Sequence, residues 1–453
     1  MTNIGTSARP LNVAVIGAGP SGFYAIDALL KQEQVDVRID LFDRLPVPYG
    51  LVRYGVAPDH QKIKNVTRQY EKMAADPRVR FAGNVALGRD VTLDELRAHY
   101  DQIVIATGCL SDRKLGLEHE DAAGSYSATE FVGWYNGHPD FQDRKFDLSH
   151  ERAVVVGVGN VAMDVTRILV KDRDELATTD ITAAALDALR AAGVREVVVL
   201  GRRGAAQAAF SPKEIREIGE LEGVRLVVEA RDLEGIDLEA LDRDKRKNVE
   251  YLQEKLADPG EGDLTVRLRF LSSPVRLSVD GDGHLNAVTI ERNRLVDRDG
   301  YLAAEGTGET ETIEAGLLLR SIGYRGEPLP GVPFDERAGI VANRDGRVVD
   351  GDAPVPGLYV VGWIKRGPSG LIGSNKPDSA ATVAAMLEDV DSGVISGATE
   401  TGDLLGALQR RGVRVVDWDD YTKIDAAEVA RGQASGKVRE KFVSVADMLA
   451  VLD

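Results

Sequence analysis

"LNVAVIGAGPSG" (11–22) sets an apolar run directly against three glycines. The run LNVAVIG, rich in Val and Ile, reads as a buried strand over 11–17. Gly17-Ala18-Gly19-Pro20-Ser21-Gly22 then fits G-x-G-x-x-G. In that pattern the first glycine permits a tight turn. The second lets a pyrophosphate approach the backbone, and the third lets helix and strand pack closely. An apolar-periodic helix follows to about Lys31, and a second strand, VRIDLFD, spans 37–43. Strand, glycine turn, helix and strand in this order form the front half of a dinucleotide-binding unit, whose helix start offers free N–H groups to phosphates. Asp43 ends the second strand, where an acid accepts hydrogen bonds from a ribose diol.

The same pattern starts again at RAVVVG (152–157). Gly157-Val158-Gly159-Asn160-Val161-Ala162 is G-x-G-x-x-A, and the helix VGNVAMDVTRIL follows. The next strand, REVVVLGRRG (195–204), carries Arg202 and Arg203 where a ribose acid would otherwise stand. Two guanidinium groups there favour a 2′-phosphate, which arginine binds through paired, charge-assisted hydrogen bonds. The second nucleotide is therefore expected to be NADP rather than NAD. The spacing from Ala162 to Arg202 is long, and an Ala-rich stretch over 173–193 reads as an inserted helical excursion. Two dinucleotide sites without a metal or disulfide motif imply one resident redox cofactor and one exchangeable hydride donor. FAD in the first site and NADPH in the second is the economical assignment. A flavin can pass electrons on one at a time, and a nicotinamide cannot.

Around these turns, residues 44–60 are rich in Pro, Gly and aromatics and read as an ordered loop, followed by a helix over 61–75 and strands near 79–87 and 102–107. From 264 to 322, short or alternating apolar runs broken by DGDG and DRDG predict an antiparallel meander that ends in GLLLRSIG (316–323). A Pro/Gly-rich linker after 324, the strand GLYVVG, a glycine-rich loop and a helix over 377–390 come next. The tail, from about 395 to 453, reads as polar and helical and carries no recognisable chemistry. The expected fold is α/β: two nested Rossmann-like dinucleotide-binding domains with parallel sheets and antiparallel excursions. The FAD domain is expected at 1–109 and 326–453 with the tail, and the NADP domain at 110–325.

Composition narrows the classes. The formal net charge of −17 argues against nucleic-acid binding, which depends on a basic surface. No apolar run approaches a membrane span, and MTNIGTSARP lacks the basic start and apolar core of a secretory signal. The single cysteine, Cys109, rules out an internal disulfide or a Cys-x-x-Cys pair and reads as a small buried apolar residue. These points suit a reducing cytoplasm.

The loop VVGWIKRGPSGLIGSN (360–375) holds four glycines where a turn needs one or two. Together with VAVIGAGPSGFYA, PYGLVRYGVAPDHQKIK, ATG (106–108), FVGWYNGHP, GVGNVAMDV and GRRG, it gives the chain a resemblance to NADPH–ferredoxin reductases of the adrenodoxin reductase type, the mycobacterial form especially. The resemblance runs from about 13 to 376, and GLVRYGVAPDH and GWIKRGPSG are its most specific parts.

The resemblance implies a ferredoxin–NADP(+) reductase, in which hydride goes from NADPH to flavin N5 and electrons then go singly to a small acidic ferredoxin or similar iron–sulfur protein. It implies a monomer. It places Trp363 against the flavin and Gly370, Leu371 and Ile372 along its pyrimidine side, Gly370 being nearest the nicotinamide. Leu51 and Val85 would line FAD, together with the fingerprint residues Ala18 and Ser21. Arg113 would touch NADP, Val158, Asn160 and Val161 its diphosphate, and Arg202 and Arg203 its 2′-phosphate. Glu214 would lie beside the same cofactor, although FSPKEI replaces the family's FTxxEL and puts Pro212 in that loop. His60 and Asp164 are implied to lie close together as a proton route, histidine being suited to proton traffic near neutral pH. Docking of an acidic partner would need a local basic face, for which Arg53, Lys62, Lys64, Arg68 and 245–247 are available. Arg53 could equally pair with Asp59. A flavin monooxygenase or the reductase component of a larger electron-transfer complex would share both nucleotide folds. The second would normally carry cysteine-ligated clusters, and one cysteine likewise disfavours a disulfide reductase.

Overall fold

The computed structural model describes residues 4–395, 398–400 and 402–453. Residues 1–3 of the opening MTNIGTSARP, and 396, 397 and 401 of the polar tail, lie outside the described residues. The chain divides into two compact units, Met1–Ser111 with Gly323–Asp453, and Asp112–Ile322.

In the first unit Leu11–Ile16 lies at the heart of a seven-stranded sheet. It pairs in parallel with Val37–Phe42 on one side and Gln102–Ile105 on the other. Val79–Ala82 and Ala353–Val360 extend the parallel set outward, and Arg347–Asp350 and Asn343–Arg344 add an antiparallel edge. Alternation assigns the faces: Leu11, Val13 and Val15 enter one core and Ala14 and Ile16 the other. The helices Pro20–Lys31 and Asn375–Asp391 cover the first face through Phe23, Ile26, Val383 and Met386. The helix Leu93–His99, which the sequence reading left out, covers the second through Leu93 and Leu96.

The polar tail is structural on both faces. Leu404 and Leu408 of the helix Leu404–Arg410 enter the second core, and Tyr421 and Ile424 of the helix Trp418–Ala434 enter the first. Two expected elements are shorter than predicted. The helix over 61–75 is split into Gln61–Lys64 and Thr67–Ala74, and the strand near 79 stops at Ala82, before Asn84 takes a positive φ of 58°.

The second unit carries a six-stranded, all-parallel sheet in the order Ser125–Ser127, Leu317–Arg320, Arg152–Val156, Glu196–Leu200, Leu264–Arg269, Val224–Val228. Helices cover one face, where Ala153, Val155, Val197 and Val199 point. On the other, Val154, Val156, Val198 and Leu200 meet Leu277, Val288 and Ile290 of a three-stranded antiparallel sheet, Ser272–Val279, Leu285–Arg298 and Tyr301–Glu314.

The expected meander over 264–322 is thus too long at both ends: Leu264–Arg269 and Leu317–Arg320 are parallel strands. The misreading has a physical cause. Arg267 and Arg269 give the first of these an alternating pattern, which normally marks a half-exposed strand. Here they are satisfied by ion pairs, Arg267 with Glu196 at 2.8 Å and Arg269 with Glu311 at 2.7 Å. The excursion over 173–193 forms two short helices, Arg173–Ala177 and Ala183–Arg190, which account for the long crossover to Arg202. Among the described residues no helix is long and apolar enough to cross a membrane.

Candidate functional site: two glycine turns and a glycine-rich loop

The fold itself requires two of the three glycines in the first turn. Gly17 has φ +114°, and a Cβ there would lie 2.6 Å from the Ala106 carbonyl oxygen. At Gly22 a Cβ would lie 2.1 Å from the Gly17 oxygen. Gly19 is different. Its φ is −87°, and the heavy atom nearest to an added Cβ, the Gly50 Cα, is 4.0 Å away. The helix Pro20–Lys31 starts there with no side-chain cap and no acid in its first turn. Open space beside uncapped N–H groups is what a diphosphate requires. Asp43 is tied to this turn: its Oδ2 accepts from the Ala18 N–H at 2.9 Å and its Oδ1 from the Leu45 N–H at 3.0 Å. Burial pushes the Asp43 carboxyl above its ordinary range, while those two amides pull it back. The residues present therefore fit an adenine dinucleotide such as FAD.

Residues 49–54 press on the same turn. The Tyr49 N–H donates to the Ala18 carbonyl at 2.7 Å, and a Cβ on Gly50 would lie 3.1 Å from the Gly19 Cα. Tyr49 and Gly50 both have positive φ, 87° and 48°, and the helix Leu51–Tyr54 leaves from this corner, where only a loop was expected. A positive φ at a tyrosine is strained and must be held by its surroundings. The tail holds it: the Tyr49 ring packs edge-on to Tyr421 at 5.7 Å and to Trp418 at 6.5 Å. Four residues on, Arg53 pairs with Glu428 at 2.5 Å, their side chains 5% and 0% exposed. Arg53 is thus no part of a docking face, and its partner is in the tail. Leu51 is half-buried; Val85 turns its side chain into the core and donates its N–H to the Asp43 carbonyl at 2.9 Å. His60 is buried at the start of Gln61–Lys64.

The loop after Ala353–Val360 closes back on this turn. Gly362 has φ +76°, and a Cβ there would meet the Ser21 Oγ at 2.0 Å. Its N–H donates to Asp378 Oδ2 at 2.7 Å, and Lys365 reaches Asp378 Oδ1 at 3.0 Å. Ser379 Oγ donates to the Ser21 carbonyl at 3.0 Å. The Trp363 indole N–H donates to the Ser369 carbonyl at 3.2 Å, its ring stands 5.4 Å from that of Tyr324, and Arg366 donates to Asn375 Oδ1 at 2.8 Å. Gly370 is explained by the protein alone, since a Cβ would meet the Ser374 Oγ at 2.2 Å at φ +79°. Gly373 has neither a positive φ nor an atom within 4 Å of an added Cβ, so it is the open glycine of the loop. Leu371 is 67% exposed beside it and Ile372 is half-buried. The helix Asn375–Asp391 begins here without a side-chain cap, the Asn375 N–H reaching the Ile372 and Gly373 carbonyls and Pro377 carrying no N–H.

In the second unit the first turn's logic repeats. A Cβ on Gly157, at φ +127°, would meet the Ser321 oxygen at 2.1 Å, whereas Gly159, at φ −102°, has nothing within 4 Å. The helix Asn160–Val170 is likewise uncapped. Asn160 spends its Oδ1 on the Ser211 N–H at 2.8 Å, and the Val158 carbonyl accepts from Ala209 and Phe210 at 2.9 and 3.0 Å, with Val161 half-buried alongside. Arg202 is exposed and Arg203 half-buried; among the described residues neither pairs with a carboxylate, nor does the exposed Arg113. Unneutralised arginines beside an open, uncapped glycine turn fit a phosphorylated dinucleotide.

Pro212 does not disturb its segment. It occupies the first position of the helix Pro212–Gly219, which suits proline, and Ser211 caps that helix by accepting from the Glu214 N–H at 3.4 Å. Glu214 is buried and shares Arg167 with Asp164: the guanidinium reaches Glu214 at 3.2 Å and Asp164 at 2.6 Å. Arg167 was not singled out from sequence, although its place three residues after Asp164 on a helix is the spacing for such a pair. Asp378 and Glu428 were missed as well, and no local signal marks them.

Comparisons with known proteins agree with this geometry. Residues 11–231 match the model of the pyridine nucleotide-disulphide oxidoreductase family. The chain is 43% identical to NADPH-ferredoxin reductase FprA of Mycobacterium tuberculosis, over 98% of this chain and 99% of that one. It is 41% identical to the mitochondrial NADPH:adrenodoxin oxidoreductase of Homo sapiens, over 99% and 93%. The solved structure of M. tuberculosis FprA in complex with NADPH superposes with a TM-score of 0.92, over 98% of this chain and 99% of that one. With a glycine turn in each unit, the GWIKRGPSG loop and identity over nearly the whole length, the chain belongs to the NADPH–ferredoxin reductases of the adrenodoxin reductase type.

Proposed function

We propose that the chain oxidises NADPH and reduces a ferredoxin-type iron–sulfur protein through a bound FAD. One observation carries the reading. Each unit has a glycine turn whose middle residue the fold leaves free, and the second turn is followed by two arginines without a carboxylate partner. FAD, when bound, accepts a hydride at N5 and returns electrons singly. The first unit is then the FAD domain and the second the NADP domain. Gly17–Gly22 and Asp43 hold the FAD diphosphate and ribose, with Leu51, Val85 and Trp363–Ile372 around the redox end. Gly157–Val161 and Arg113 hold NADPH, Arg202 and Arg203 take its 2′-phosphate, and Glu214 positions the same ligand through Arg167. His60 and Asp164 serve as the proton route, in which Arg167 keeps Asp164 oriented. The partner is a small acidic ferredoxin, met by exposed lysines such as Lys62 on a monomer in a reducing cytoplasm.

The test is an anaerobic titration of the purified protein, followed in the visible. Bleaching of flavin bands at far lower NADPH than NADH, and their return as oxidised ferredoxin is reduced, is the expected result. A colourless protein that cannot be reconstituted with FAD would refute the first-turn reading. A protein that bleaches but passes electrons to no ferredoxin would refute the acceptor.

A further inference from the structure

The antiparallel sheet of the second unit ends in a long hairpin, Leu285–Arg298 and Tyr301–Glu314, joined at Asp299 and Gly300. The nucleotide reading gives this hairpin no task, yet it braces the arginine turn at three points. Asn293, 6% exposed, donates its side-chain N–H to the Arg202 carbonyl at 2.8 Å and to Ser273 Oγ at 2.8 Å. Its backbone N–H reaches the Leu271 carbonyl at 2.7 Å, and the Leu271 N–H in turn reaches the Arg203 carbonyl at 3.0 Å. Leu295 Cδ1 would lie 3.7 Å from a Cβ on Gly204. At the tip, the Tyr301 ring lies 5.2 Å from the Arg203 guanidinium carbon, in cation–π range. Tyr301 is 51% exposed, unusual for a large ring that serves only packing.

We propose that Tyr301 is a positioning residue for dinucleotide selection: it holds the face of the Arg203 guanidinium so that the edge is presented to a 2′-phosphate. This rests on reading Arg202 and Arg203 as the 2′-phosphate site. The chemistry divides cleanly. A stacked ring engages only the flat face of a guanidinium. The N–H groups lie in the plane, point outward and remain free for in-plane, two-pronged binding to phosphate oxygens. Arg203 has no carboxylate partner among the described residues, so the ring orients the charge without neutralising it. Asn293 fixes the backbone of Arg202 beside it, so both arginines are set by one hairpin.

Holoenzyme assayed with ferricyanide as electron acceptor gives kcat/KM for NADPH and for NADH in Tyr301→Ala, Tyr301→Phe and Arg203→Ala. Tyr301→Ala is expected to lower the NADPH-to-NADH selectivity about fivefold, equivalent to about 1 kcal/mol. Tyr301→Phe, which keeps the ring, stays within about twofold of the parent chain. Competitive inhibition by 2′,5′-ADP weakens in Tyr301→Ala by the same factor relative to inhibition by AMP. Equal losses with NADPH and NADH, or unchanged selectivity in Tyr301→Ala while Arg203→Ala loses it, would overturn the role of the ring. Unchanged selectivity in Arg203→Ala would overturn the 2′-phosphate reading itself, and the role of Tyr301 with it.

Discussion

Replacing Glu428 by alanine should damage the far end of the cofactor corner. Glu428 is fully buried and accepts three hydrogen bonds, from Arg53 at 2.5 Å, Arg439 at 3.0 Å and the Phe442 N–H at 2.9 Å. In Glu428→Ala, Arg439 keeps Asp425 at 2.6 Å, but Arg53 has no such reserve: its Nε already has no hydrogen-bond partner, and its side chain is 5% exposed. Removing one partner of a buried pair leaves an uncompensated charge and costs about 3–5 kcal/mol. The cost should fall on the helix Leu51–Tyr54, and through Tyr49 and Gly50 on the turn at Gly19. Denaturant unfolding followed by tryptophan fluorescence, with Trp418 in the affected helix, measures the total. Hydrogen exchange at Leu51–Tyr54 measures the local share, expected to speed up about 100-fold or more where local opening governs exchange. A paired replacement, Arg53→Met with Glu428→Met, should recover most of the loss, since an apolar pair of similar volume needs no counter-charge. A loss below about 1 kcal/mol in Glu428→Ala, with unchanged exchange at 51–54, would refute the reasoning.

The middle glycines give a sharper separation of folding from binding. Gly159→Ala should leave the melting temperature of the unliganded protein within about 2 °C while weakening NADPH about tenfold by fluorescence titration, and Gly19→Ala should do the same to FAD; Gly22→Ala should fail to fold, and folded Gly22→Ala would contradict the 2.1 Å approach. Cys109 is 1% exposed, and burial pushes its thiol up to about 12, against a smaller opposing pull from Arg366. At pH 8 about one thiol in 10,000 is then ionised, so iodoacetamide should modify the native protein about a thousandfold more slowly than the unfolded one. Because the unfolded thiol ionises first, this group's contribution to stability is complete below its ordinary pKa and is lost as pH rises from there toward 12, which urea midpoints at pH 7.5 and 10 would register. Electron transfer to an acidic ferredoxin should slow between about 20 and about 500 mM salt as screening removes steering, and a rate indifferent to salt would refute docking through exposed lysines.

The sequence by itself determined the two glycine turns, their order, the acid at Asp43 and the arginines at 202–203. Each of these is local: a run of apolar residues, a turn and a helix start lie within a few residues of one another, and the chemistry of phosphate binding is written in that short span. It also marked the loop at 360–375 as unusual without showing which glycine is open, because Gly362 and Gly370 answer to Ser21 and Ser374, Gly367 answers to its φ of +82°, and Gly373 alone of the four has neither restraint. Long-range pairing was decided by the tertiary structure alone. Leu264–Arg269 read as antiparallel because its alternating arginines hid their partners, Glu196 and Glu311. Arg53 read as a docking cation or a partner of Asp59 because Glu428, with which it pairs, lies 375 residues away in a tail with no motif of its own. Tyr301 was invisible for the same reason, a ring at a hairpin tip that gains meaning only when folding sets it over Arg203. Spacing in the chain reports helices, strands and turns because those depend on neighbours; which charge is buried, and which ring meets which cation, depends on residues that only the packed chain brings together.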